Sequence, residues 1–156
     1  MDFQKIMNIR QYKASDKSTL IEILKKNVPE YFAEKEIEDL NQYLDYGVEE
    51  YFVVEINGET VGAGGINFKD NRRIGIISWD YIKPKYHGMG IGRALLKYRL
   101  DTISKRNTIK KVIVRTSQKT YPFYAKGGFE VKEIVKDYWA EGFDLYYMEM
   151  SVNRGK

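Results

Sequence analysis

The stretch Ile82-Lys-Pro-Lys-Tyr-His-Gly-Met-Gly-Ile-Gly-Arg-Ala-Leu-Leu96 decides the fold. Three glycines at alternate positions, Gly88, Gly90 and Gly92, stand between a strand closed by Pro84 and an apolar helix. Glycine lets the chain turn sharply and bring its backbone close to a ligand. The unpaired amides of the first helical turn then face an anion, aided by the helix dipole. A phosphate or pyrophosphate is the natural guest, and Lys83, Lys85, Arg93 and Lys97 are near in sequence. A Walker loop would need Gly-Lys-Ser/Thr where Gly92-Arg93-Ala94 stands. A dinucleotide fingerprint would need a third glycine at Arg93 or Leu95, and would follow a parallel βα turn. The plain alternative, a helix start loosened by glycine with no ligand, is disfavoured. Glycine weakens a helix start unless close approach is wanted.

On the N-terminal side the pattern is an antiparallel meander. Tyr51–Ile56 reads as a strand, and Asn57-Gly58 supplies a type I′ hairpin turn into Thr60–Phe68. A turn at Asp70-Asn71-Arg72 leads to a third strand, Arg73–Ile82. Ahead of these, Asn8–Tyr12 alternates as a strand. Ser15-Asp16 is an N-cap signal before the apolar residues Leu20, Ile21, Ile23 and Leu24. Pro29 interrupts that helix, and a second is predicted over Glu34–Asp45. Downstream, the loop opens a helix over Arg93–Ser104, followed by a strand at Lys111–Thr116. A short helix over Thr120–Lys126 is closed by Gly127-Gly128. Strands Phe129–Val135 and Leu145–Val152 finish the chain around Glu141-Gly142. The order is β-α-α-β-β-β-α-β-α-β-β: an α/β chain whose meander continues into a β-α-β crossover, which requires one parallel pair.

Composition narrows the chemistry. No cysteine means no disulfide, thiol nucleophile or cysteine metal site, and no metal is expected. The one histidine, His87, excludes an HExxH helix. What remains is carboxylates, tyrosines, lysines, backbone amides or a bound co-substrate. With 26 basic and 22 acidic residues the charge is +4, and bases and acids are interleaved. No nucleic-acid stripe is expected. No apolar run approaches the roughly 18 residues of a membrane span. Met1–Tyr12 has no signal-peptide core. The expectation is one cytoplasmic domain, residues 1–156, with no membrane partner.

The loop string resembles the acetyl-CoA-binding motif of the GCN5-related N-acetyltransferase (GNAT) superfamily. Gly90 and Gly92 match its glycines, and His87 stands where Gln or Arg is usual. A second segment, Phe123-Tyr-Ala-Lys-Gly-Gly-Phe129, resembles the family's Tyr-x-x-x-Gly-Phe, with Tyr124 in the tyrosine place. Ser117 stands where the family often has Asn. The opening Ile9-Arg10, followed by Asp16 and an apolar helix, also resembles the family's start, so the likeness covers nearly the whole chain.

The resemblance implies a mixed sheet splayed between two strands, with acetyl-CoA entering the gap. It implies pantetheine pairing along Asp80, Tyr81 and Ile82. It also implies a pyrophosphate on the amides of Gly88, Met89, Gly90, Ile91, Gly92 and Arg93, with His87 and Ser117 as further contacts. Acetyl transfer to an amine needs a neutral amine, a donor for the developing oxyanion and a proton for the leaving thiolate. A primary amine titrates near ~10 and a thiol at roughly 8.5, so a base or water must deprotonate the first. Tyr124 is the candidate acid, with a packed core tyrosine as the plain alternative. The Ile82 amide is the candidate oxyanion donor. Asp80, on the same strand face as Ile82 if no bulge intervenes, is the candidate base; the alternatives are a relayed water, a simple surface carboxylate or a carboxylate paired with a lysine. The loop between the first two helices borders the acceptor in the family, so Glu30 and Tyr31 are candidate acceptor contacts. The expected activity is direct transfer in a ternary complex to a small-molecule or protein amine. The alternative is a catalytically silent acyl-CoA-binding module of the same fold. A homodimer through an exposed final strand is a further expectation.

Overall fold

The computed structural model describes residues 6–152. The first five residues of the Met1–Tyr12 stretch therefore lie outside it. The elements follow the predicted order. They are β1 (Met7–Gln11), α1 (Lys17–Lys25), α2 (Glu36–Tyr46), β2 (Glu50–Ile56), β3 (Glu59–Lys69), β4 (Ile74–Ile82), α3 (Ile91–Ser104), β5 (Lys111–Thr116), α4 (Tyr121–Lys126), β6 (Glu130–Ala140) and β7 (Phe143–Ser151). Short 3-10 turns precede α1 at Ala14–Asp16 and follow β4 at Pro84–Tyr86.

Seven strands form one sheet in the order β1-β2-β3-β4-β5-β7-β6. The pair β4–β5 is parallel, as the crossover requires, and the others are antiparallel. Two layers of helix cover it. On one face α1 and α2 bury Leu20, Leu24, Leu40 and Leu44 against Tyr51, Val53, Ala63 and Tyr81. On the other, Ile91, Leu95, Leu96 and Ile103 of α3 and Tyr124 of α4 pack on Val54, Ile66, Ile77 and Val114. The Asn57-Gly58 hairpin has positive φ at both residues, 51° and 82°, as a type I′ turn demands.

Four local expectations are corrected. Asp16 does not cap α1 with its side chain. Its carboxylate instead takes a two-pronged contact from Arg10 at 2.8 and 2.9 Å and accepts the Lys13 N–H at 2.9 Å. Helix α1 ends at Lys25, before Pro29. Strand β6 runs past Val135 to Ala140 because a bulge, with Asp137 at φ 54°, absorbs the polar Lys136-Asp137. The last strand in chain order is not a sheet edge: β7 lies between β5 and β6, and β6 is the exposed edge.

Candidate active site

Strands β4 and β5 are paired only from Ile74–Lys111 to Ile77–Val114. Beyond that point β4 continues to Ile82 beside β3, and β5 continues to Thr116 beside β7. The separation leaves a cavity of about 710 Å³, lined on one side by Ser78–Ile82 and on the other by Arg115, Thr116 and Ser117. Gly88, Gly90, Ile91, Gly92 and Arg93 border one end, and Tyr124 lines the same cavity.

A bulge in β4 sets which side chains reach it. Ser78 pairs with Gly65 and Tyr81 with Ala63, so Trp79 and Asp80 together face the single residue Gly64. Trp79 takes up the extra residue at φ 49°. Ile77 before the bulge and Ile82 after it therefore both contact the α3 side, whereas strict alternation would part them. Asp80 shares the face of Ile82, as expected, because the extra residue, Trp79, precedes both. The Lys83 N–H returns to the Val61 carbonyl at 2.7 Å, toward β3. Alternation then turns the Ile82 N–H and C=O toward the opening.

Asp80 is held by two neighbours. Arg99 of α3, fully buried, brings Nη2 to 2.5 Å from Asp80 Oδ1, an ion pair rather than an aligned hydrogen bond. Arg99 also donates through Nε to the Leu95 carbonyl and through Nη1 to the Gly65 carbonyl. The Tyr124 hydroxyl donates to Asp80 Oδ2 at 2.6 Å. Gly64 permits the cluster: a Cβ there would lie 2.1 Å from Asp80 Oδ1 and 3.0 Å from Arg99 Cζ. Burial raises the Asp80 pKa, against the opposing pull of Arg99 and Tyr124. Burial, then the Asp80 charge, pushes the Tyr124 phenol well above 10.0. Tyr124 is thus protonated at neutral pH and available only as a donor. Its ring is fixed edge-on between Phe123 and Phe129.

The glycine loop has the form an anion needs. Gly90 is the N-cap of α3 at φ 84°, and Gly88 has φ 78°. A Cβ on either would meet nothing within 4 Å, so that face is open. The nearby cations divide. Lys83 bonds Glu59 at 2.7 Å and Lys97 bonds Asp101 at 2.8 Å, whereas Arg93 lines the cavity. Met89, 45% exposed, is outside the lining, and Ile91 is core. His87 donates from Nε2 to the Ile82 carbonyl at 2.8 Å and meets Tyr31 edge-on. The same carbonyl accepts from Asn27 Nδ2 at 3.2 Å, which ties the end of α1 to the end of β4. Ser117, buried, accepts the Lys119 N–H with Oγ, and its carbonyl accepts the first amides of α4. Tyr81 points its ring into the α1–α2 core. Tyr31 lines the cavity, and Glu30 does not.

The sequence reading passed over Arg99, Asn27, Glu36 and Gly64. Arg99 had a signal: it lies four residues after Leu95 and four before Ile103, on the apolar face of α3, where an arginine requires a buried partner.

A sequence model of the GNAT acetyltransferase domain matches residues 14–152. The chain belongs to this family. It is 27% identical over 157 residues to an N-alpha-acetyltransferase of Sulfurisphaera tokodaii, covering 90% of each chain. It is 33% identical over 93 residues to an uncharacterized N-acetyltransferase of Methanocaldococcus jannaschii. That match takes in 55% of this chain but spans less than half, 41%, of the relative's length. The fold is similar to that of the ribosomal-protein-S18-alanine N-acetyltransferase of Escherichia coli, with TM-score 0.78, 17% identity and 96% of each chain covered. Among the described residues no cluster of His, Asp or Glu could hold a metal, and no helix is long and apolar enough to cross a membrane.

Proposed function

We propose that residues 1–156 act as one domain that transfers acetyl from acetyl-CoA directly to an amine in a ternary complex. The observation that carries the reading is the opening between β4 and β5. It has a glycine-capped helix start at one end, the Ile82 N–H facing inward, and the Tyr124 hydroxyl on its wall. The open Gly88 and Gly90 faces and the Arg93 side chain fit a pyrophosphate. When bound, acetyl-CoA supplies an activated thioester carbonyl and a thiol leaving group.

The residues then divide the work. The Ile82 N–H meets the negative charge that develops on the acyl oxygen; such a donor is typically worth about 100- to 1000-fold in rate. Tyr124 gives its proton to the departing sulfur. The Asp80 carboxylate, held by Arg99, accepts the hydroxyl at 2.6 Å and fixes its position, and water brings the proton that restores the phenol. In this reading Asp80 serves the acid side of the reaction, and its ion pair with Arg99 makes it a poor base toward the amine. Water carries the amine's proton away. The reading includes a cytoplasmic setting, where acetyl-CoA is available.

The test has two arms. Acetyl-CoA should raise the melting temperature and NAD should not; equal shifts would overturn the loop assignment. Thiol release should then be followed over a panel of small amines and peptides with free N-termini. Tight CoA binding with no release on any of them would favour the silent binding module.

A further inference from the structure

We infer that the acceptor is an alkylammonium ion with an apolar arm, gripped by Glu36 on the α2 side of the cavity. The inference takes from the proposed transfer only that this cavity receives an acceptor.

The charged side chains on the cavity wall are Glu36, Asp80, Arg93 and Arg115, with His87 beside them. All but Glu36 have an assignment. Asp80 is neutralised by Arg99. His87 and Arg93 belong to the glycine-loop end. Arg115 donates to the Tyr138 hydroxyl and lies over the Tyr138 and Trp139 rings. Glu36 is 7% exposed and has no ion-pair partner among the described residues. Its Oε2 accepts the Ala33 N–H at 2.8 Å, and Oε1 makes no hydrogen bond to a described residue. A carboxylate removed from water without a cation is costly, and burial raises its pKa. Capping the turn at Ala33 needs only a carbonyl-type oxygen, which a glutamine would offer as well. The charge is therefore unexplained by the fold.

The wall around it has the matching chemistry. Phe32 and Trp79 stack at 6.2 Å with 15° between their planes, and Tyr43 tilts against Trp79 at 6.2 Å. All three line the same cavity as Glu36. Aromatic rings attract a desolvated cation and cover an apolar chain. A carboxylate with three rings selects an ammonium on an apolar stem over an anionic or neutral polar ligand. Both a small amine and the N-terminus of a peptide present that group.

The probe is pentylamine, charged below about pH 10, compared with pentan-1-ol, its neutral counterpart of similar shape. Binding to the full chain is followed by tryptophan fluorescence, since Trp79 and Trp139 both line the cavity. Pentylamine should bind at least about tenfold tighter, and Glu36→Gln, which keeps the Ala33 cap, should remove the preference. Equal affinity of amine and alcohol in the unaltered protein would overturn the inference, whatever the variant does. So would a preference that survives Glu36→Gln. The peptide Leu-Ala-Ala-amide, with a free N-terminus, distinguishes the sources: tighter binding than pentylamine assigns a peptide, weaker binding a small amine. The readout needs no turnover. Absence of acetyl transfer would sink the transferase reading alone, and loss of the charge preference would sink this one alone.

Discussion

Arg99 and Asp80, one from α3 and one from β4, meet below the cavity with 2.5 Å between Nη2 and Oδ1. Arg99 is fully buried, and Asp80 lines the cavity. Removing the arginine alone leaves a carboxylate in the interior with only Tyr124 to oppose it. Arg99→Met should therefore destabilise the fold by about 3–5 kcal/mol. Adding Asp80→Asn to that variant should recover a large part of the loss. Urea unfolding of the two single variants and the double variant measures the coupling; strictly additive losses would refute it.

Tyr124→Phe keeps the ring packing against Phe123 and Phe129 and deletes one hydroxyl. Turnover is expected to fall about 100- to 10,000-fold, the usual range for a proton-transfer group. The affinity for CoA should change little. Rate measurements beside CoA titration separate the two, and an unchanged rate would remove the acid role from Tyr124.

The glycines of the loop should not respond alike. Gly90 sits at φ 84°, where a side chain costs roughly 1–2 kcal/mol, so Gly90→Ala should lower stability and weaken CoA binding. Gly92 is helical, and a Cβ there would sit 3.6 Å from the Phe123 ring, an ordinary contact. Gly92→Ala should be neutral, or stabilising by up to about 1 kcal/mol. Melting curves and CoA titration of both variants give the comparison.

Acid stability should depend on the Arg10–Asp16 pair. Hydrogen bonds from Arg10 hold the Asp16 carboxyl below its ordinary value, against the cost of burial. A lowered carboxyl stabilises the fold above its unfolded pKa of about 3.9, and that contribution is lost as pH falls through the lower folded value. Asp80 runs the opposite way: its raised pKa means its contribution declines as pH rises through the carboxylate range. Asp16→Asn should therefore lower stability at neutral pH and flatten the loss below about pH 4. Chemical denaturation across pH provides the measurement.

Where the local chemistry of the chain decides a feature, the sequence disclosed it. Asn57-Gly58 must turn, Pro84 must end a strand, and Leu95, Leu96 and Ile103 must face a core, so the element order was readable throughout. The glycine loop was readable for the same reason, and so was Tyr124 through its resemblance to a family segment. What escaped depends on partners distant in sequence. Asp16 has the makings of a helix cap, yet β1 delivers Arg10 to it first. Asp80 has the makings of a free carboxylate, yet its surroundings are set by Arg99, nineteen positions on, and by the bare backbone of Gly64. Glu36 is one more of the interleaved charges in the sequence, because burial is a property of the assembled layers.

The bulge at Trp79 has a consequence for how such a strand can vary through descent. An alternating strand is a two-letter script, and one additional residue shifts every letter after it unless a bulge absorbs it. Deleting Trp79 would remove the bulge and leave Asp80 and Ile82 on the α3 side in plain alternation with Ile77, whereas deleting a residue of the regular stretch between Ile74 and Ile77 would put that stretch out of phase with all that follows. Exchanging one side chain for another at Ser78 or Trp79 leaves that script in phase. At this point of β4 the lineage can shed the extra residue and keep each set of neighbours, a freedom in chain length that the regular strand on either side lacks.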